Sequence, residues 1–174
     1  MSSEPNRSCG SCHACCIHLD IDSLRKPAHK RCPHLMHAGC IIYYERPHEC
    51  RGFLCLWRLG VVAERPDEVG VLAHLAKNEA THWFGVNVIE TRRGALAKAR
   101  SVIDQCLALD CACVEAEYLD GRRYIWSQHE RWIDDLRRRN PDAGIPPNVA
   151  RVEIRVRSNG RSNMSMWLKE EGKQ

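Results

Sequence analysis

A chain of 174 residues suits one domain, or a small module joined to a modest one, and is long enough to bury an apolar core. Its 44% hydrophobic and 28% charged residues exclude a disordered chain, and the absence of an apolar run of about 18 residues excludes a helical membrane span. The formal charge of +4 is uneven: residues 1–65 carry nine Lys/Arg against six Asp/Glu, residues 66–136 eight against twelve, and residues 137–174 nine against four, so a nucleic-acid or anionic partner is a weak expectation confined to the last stretch.

Residues 1–8 are polar, and the SSEPNRS that follows Met1 lacks the apolar segment of a secretory signal, so the expected location is the cytoplasm, with no membrane contact. From Cys9 to Leu59 no helical or strand periodicity is sustained, while cysteine, histidine and proline are dense. A segment of that kind builds little apolar core, and cross-linking by a metal is its natural source of order. Arg65-Pro66-Asp67 reads as a turn that ends it.

Beyond that turn the pattern changes. GVLAHLA (70–76) and THWFGVNVIE (81–90) are strand-compatible runs that read as a hairpin across residues 77–80. Residues 94–109 place apolar side chains at 95, 96, 99, 102, 103, 106, 107 and 109, the spacing of an amphipathic helix. A second hairpin is expected where CACVEAEYL and RRYIWS flank Asp120-Gly121, because the tight turn needs positive φ and glycine supplies it without strain. Ser127, with Glu130 three residues on, forms a capping-box pattern ahead of QHERWIDDLRRR, which Asn140-Pro141 stops. Residues 141–149 contain three prolines and read as a linker, RVEIRVR (151–157) as an edge strand, and the chain from Ser158 as a polar, frayed tail.

The expected fold class is therefore α+β: an irregular N-terminal cysteine-rich metal-binding region followed by a small antiparallel or mixed sheet with about two helices. The expected organisation is a cysteine-cluster region over residues 1–65, an α+β portion packed with it over 66–140, and a linker, edge strand and basic tail over 141–174.

Eight of the eleven cysteines lie in the first region: Cys9, Cys12, Cys15, Cys16, Cys32, Cys40, Cys50 and Cys55. A reducing compartment makes disulfides rare, and an odd total forbids complete pairing within one chain, so metal ligation accounts for them better. The first group has the form CxxCxxCC, in which a short turn aims two sulfurs at one ion. If that segment is helical, residues 9, 12 and 16 fall within an arc of about 60° at 100° per residue and still converge. Cys15 and Cys16, as neighbours, do not approach one ion from the same direction. The second group, Cys32, Cys40, Cys50 and Cys55, has the spacing of loop-borne ligands. Eight thiols fit two four-sulfur sites, or one site with spare or bridging sulfurs. Zinc and an iron–sulfur cluster both take such ligands. Cys106, Cys111 and Cys113 fall in the second half and read as small core hydrophobes.

The run of Cys9, Cys12, Cys15 and Cys16, then Cys32-Pro33, Cys40, Arg46-Pro47, Cys50-Arg51, Phe53 and Cys55 resembles the YkgJ-type cysteine-cluster family, whose members are described as zinc- or iron-chelating. The resemblance covers about residues 9–60 and implies metal binding. The chain departs from the pattern at His13-Ala14, where a Cys-Gly step is commoner, and by an extra residue in Cys40-Ile41-Ile42-Tyr43-Tyr44.

His13, His18, His34, His37 and His48 lie within or beside the motif and are further candidate ligands, second in rank to the thiols. His74, His82 and His129 read as core or surface residues. Arg46, Arg51 and Arg58 are placed to offset thiolate charge. An enzyme is disfavoured: no strand precedes the CxxC as a thioredoxin-like site requires, and HExxH is absent. The expected function is a metalloprotein binding zinc or iron through these thiols. The alternatives are a metal-stabilised module for a protein or nucleic-acid partner, and an iron–sulfur redox enzyme.

Overall fold

The computed structural model describes residues 7–77, 84–111, 113–143, 152–156 and 165–168. In the cysteine-rich stretch no described helix or strand exceeds five residues, as its lack of periodicity requires. Helix α1 (Ala14–His18) is followed by a two-stranded hairpin of β1 (Leu35–Met36) and β2 (Gly39–Cys40), then by helix α2 (His48–Gly52). Helix α3 (Pro66–Val69) closes the region, with proline at its first turn and Gly70 in the left-handed conformation at φ 79°. A Cβ on Gly70 would lie 2.6 Å from that of Ala95, so both backbone and space demand glycine here.

A six-stranded mixed sheet follows: β3 (Val71–Lys77), β4 (Phe84–Glu90), β5 (Val114–Glu117), β6 (Arg123–Ser127), β7 (Val152–Val156) and β8 (Ser165–Leu168), in that spatial order. All neighbours are antiparallel except β4 and β5, which run parallel and are joined through a 3-10 turn (Leu96–Lys98) and helix α4 (Arg100–Leu107). Glu90 ties this crossover down from within: its buried carboxylate accepts from the backbone N–H groups of Leu96 and Leu119. Helix α5 (Glu130–Arg139) follows β6 and buries Ile133.

Strand alternation gives the sheet two functional faces. Val71, Ala73, Val86, Val88, Val114 and Ala116 turn toward α4, where they pack against Val102, Ile103 and Cys106. Leu72 and Ile89 point the other way and pack with Ala14 and Cys55 of the cysteine region. Cys12, Cys15 and Cys55 thus pack on the opposite face of the sheet from α4, whereas Leu56 and Val62 reach round to the α4 side, and an isolated bridge between Cys55 and His74 continues the pairing onto the free edge of β3.

The α+β class and the cysteine-rich N-terminus are as the sequence indicates, and β3 pairs with β4, and β5 with β6, as antiparallel neighbours. Three local expectations change. The helix expected over 94–109 is broken at Ala99 (φ −86°, ψ 38°), which ends the 3-10 turn and leaves α4 at eight residues. His129, not Ser127, caps α5, its Nδ1 accepting from the Trp132 N–H, while Ser127 is buried at the end of β6 and accepts from the His129 N–H. The strand expected at 151–157 forms as β7, but it pairs on both sides and is no edge, because β8 arises in the segment read as a frayed tail. The hairpin connector from residue 78, the linker from residue 144 and the remainder of the basic tail lie outside the described residues.

Candidate metal centre

The first cysteines are placed by a turn and a short helix. The Cys12 N–H donates to the Cys9 carbonyl at 2.8 Å, and Gly10 takes φ +52° inside that turn. Arg65 braces it, donating to Ser11 Oγ while its guanidinium forks onto Asp67. Helix α1 then carries Cys15 and Cys16. The helix is too short to satisfy its C-terminal carbonyls internally, and Lys26 does so instead: its Nζ donates to the carbonyls of Ile17 (3.1 Å), Leu19 and Pro27 (3.2 Å). Lys26 is only 4% exposed.

The second group is threaded through loops. The Cys32 N–H donates to the Cys16 carbonyl (3.0 Å), the Leu35 N–H donates to the Cys32 carbonyl (3.1 Å), and Leu35 opposes Cys40 across the β1–β2 hairpin. Cys50 lies in α2, whose Glu49 accepts from the backbone and hydroxyl of Ser23. Cys55 is buried against the sheet.

All eleven cysteines are free thiols. Cys9, Cys12, Cys15, Cys16, Cys32, Cys40 and Cys50 line a single cavity of about 480 Å³. Cys55 lines a smaller adjoining cavity of about 40 Å³, together with Cys9, Cys12, Cys15 and Cys50. Residues up to 46 positions apart are thereby gathered, although no group of three or more Cys, His, Asp or Glu among the described residues already stands as a preformed ligand set. Of the candidate histidines, His13 is in the wall of the larger cavity; His34 is outside it, and His37 and His48 are outside it and exposed. Cys106 is fully buried in the α4 core, with Cys111 packed against it.

Burial and neighbouring groups shift the thiols in opposite directions. A hydrogen bond between the neighbouring thiols of α1 separates them: Cys15 is pushed up by that bond and by burial, whereas Cys16 is lowered by the same bond, with help from Lys26 and Arg46. Of this pair, Cys16 is the thiol that ionises more readily. Burial raises Cys12, Cys50 and Cys55, so an incoming ion displaces protons from them. Of the expected arginines, Arg46 lines the larger cavity, with its Nε donating to the Tyr43 carbonyl and its guanidinium over the Tyr43 ring at 3.7 Å. Arg58 lines the smaller cavity and partly offsets the rise that burial causes at Cys55, while Arg51 is exposed and lines neither.

Three features go beyond what the sequence indicates. Lys26 carries no local signal, since its role depends on carbonyls up to nine residues earlier. His18 and His29 meet Nδ1 to Nδ1 at 3.2 Å, and His29 Nε2 lies 3.5 Å from Glu117 on the sheet face beneath. His74, expected in the core or on the surface, is two-sided, its Nδ1 3.0 Å from the Leu75 carbonyl, its ring against Phe53, and its Nε2 buried without a partner among the described residues.

Among the described residues no helix is long and apolar enough to cross a membrane. In the comparisons with known proteins, no family model, no curated protein and no solved structure matches the chain.

Proposed function

We propose that the protein is a cytoplasmic metalloprotein that holds zinc or iron, the latter as an iron–sulfur cluster, through the thiolates of Cys9, Cys12, Cys15, Cys16, Cys32, Cys40, Cys50 and Cys55. One observation carries the reading: eight reduced cysteines spread over 47 positions of chain converge on two adjoining cavities, while the other three pack as ordinary buried or half-buried side chains elsewhere. Free thiols gathered in this way are soft ligands suited to either metal. The same residues carry the likeness to the YkgJ-type cysteine-cluster family, but the reading rests on the thiols and not on that likeness. The metal also has a structural task, since the region has few regular elements of its own.

A second reading is favoured by the surface beside the larger cavity, where Ile41, Tyr43 and Tyr44 are 62%, 52% and 92% exposed. Exposed aromatic side chains next to a metal-stabilised fold fit an interaction module for a protein partner. Elemental analysis of protein prepared without oxygen tests the first reading: at least one zinc or iron per chain is expected, and a chain containing neither metal refutes it.

A further inference from the structure

We propose that the eight thiols form two four-sulfur metal sites that meet at the Cys15–Cys16 step: one made by Cys9, Cys12, Cys15 and Cys55, the other by Cys16, Cys32, Cys40 and Cys50. This inference rests on the thiolate reading above and specifies its stoichiometry and grouping.

Four observations divide the thiols in this way. Successive residues of a helix point about 100° apart, so Cys15 and Cys16 of α1 face different neighbours. Cys12 and Cys15 pack with Cys55 in the apolar cluster of Ala14, Leu72 and Ile89, on the sheet side, and none of the second set belongs to that cluster. Backbone hydrogen bonds and hairpin pairing join the second set instead, running from Cys16 to Cys32, from Cys32 to Leu35, and across to Cys40. The cavities divide in part: Cys55 lines only the smaller one and Cys16, Cys32 and Cys40 only the larger, while Cys9, Cys12, Cys15 and Cys50 line both.

Cys9 and Cys50 line both cavities; the Cys12 N–H to Cys9 carbonyl bond ties Cys9 to the first set, and Cys50 completes the second set of four. Cys15 packs in the sheet-side cluster while the Cys16 carbonyl accepts from the Cys32 N–H, and this places the junction between them.

Each set matches the four thiolates required by one zinc ion or by one four-iron cluster.

The test reconstitutes reduced, metal-free full-length protein with zinc, and in parallel with cadmium-113 for NMR. Wild type is expected to take two zinc ions and to show two cadmium resonances in the all-sulfur range. The within-set doubles Cys9→Ser/Cys55→Ser and Cys32→Ser/Cys40→Ser each retain one ion and one resonance, and each loses a different resonance. The cross-set double Cys9→Ser/Cys40→Ser, which removes the same number of thiols, retains no tightly bound ion. One ion in wild type, or equal retention in cross-set and within-set doubles, overturns the grouping while leaving metal binding intact. No uptake by wild type overturns both. The wild-type cadmium spectrum needs no variant, so a double that fails to fold does not shield the proposal.

Discussion

Replacing Lys26 by methionine preserves length and apolar bulk while removing the ammonium, and it probes how the cysteine region is held. Nζ donates to the carbonyls of Ile17, Leu19 and Pro27 from a site only 4% exposed, so Lys26→Met leaves three carbonyls without their donor. At about 1 kcal/mol net per hydrogen bond the loss is about 3 kcal/mol, or about a hundredfold in the folded-to-unfolded ratio. For a chain of this size that lowers the thermal midpoint by about 6–12 °C. The ammonium also stands beside Cys16 and Cys32, so the variant is expected to surrender zinc to a chelator faster than wild type. Calorimetry of the metal-loaded protein reads the first effect and a chromogenic chelator the second. A midpoint within about 2 °C of wild type, with unchanged zinc release, refutes the assignment of Lys26 as the brace of α1; roughly 2–4 °C per kcal/mol is the conversion involved.

Two further predictions separate the thiol populations. Cys12→Ser and Cys50→Ser are expected to lower metal content, whereas Cys111→Ser, packed against the α4 core, leaves it unchanged; equal loss in all three contradicts the division. The second concerns alkaline stability: burial raises Cys106 to about 12 and Cys113 to about 11, above the ordinary value of 9.0 that the unfolded chain recovers. With the folded value the higher, the stability these thiols give is complete below pH 9 and is lost as pH rises toward 11 and 12, at up to about 1.4 kcal/mol per pH unit for each thiol. Urea midpoints at pH 8 and pH 10 should therefore diverge in wild type and diverge less in Cys106→Ala, and an unaltered pH slope in the variant counts against a buried neutral thiol.

How much was legible in the sequence depends on the range of the interaction. Val71–Lys77 and Phe84–Glu90 showed as strand runs because their signal is local composition, and Asp120-Gly121 marked its hairpin through one backbone requirement. The break at Ala99 was hidden because the apolar stripe continues across the 3-10 turn, so periodicity reads both pieces as one helix. The alternation of RVEIRVR reveals a strand but is silent about its neighbours, and β7 lies inside the sheet because a later segment pairs with it. In the site, the type and spacing of the eight cysteines marked them as a ligand set without dividing it. The proposed division draws on contacts the sequence does not show: Cys15 packs toward the sheet, while loop hydrogen bonds link Cys16 to Cys32. Lys26 was invisible for the same reason, its partners being backbone carbonyls that carry no sequence signature.

The central claim is that the gathered thiols bind metal, and the most direct test is elemental analysis combined with visible absorption of protein purified without oxygen. Iron–sulfur charge transfer is coloured and zinc is silent, so the pair of readings also separates the two chemistries. The account predicts zinc or iron bound at one or more equivalents per chain, with visible absorption only if the metal is iron in a cluster. Colourless protein containing neither metal, with its eight N-terminal thiols free to react, would contradict it.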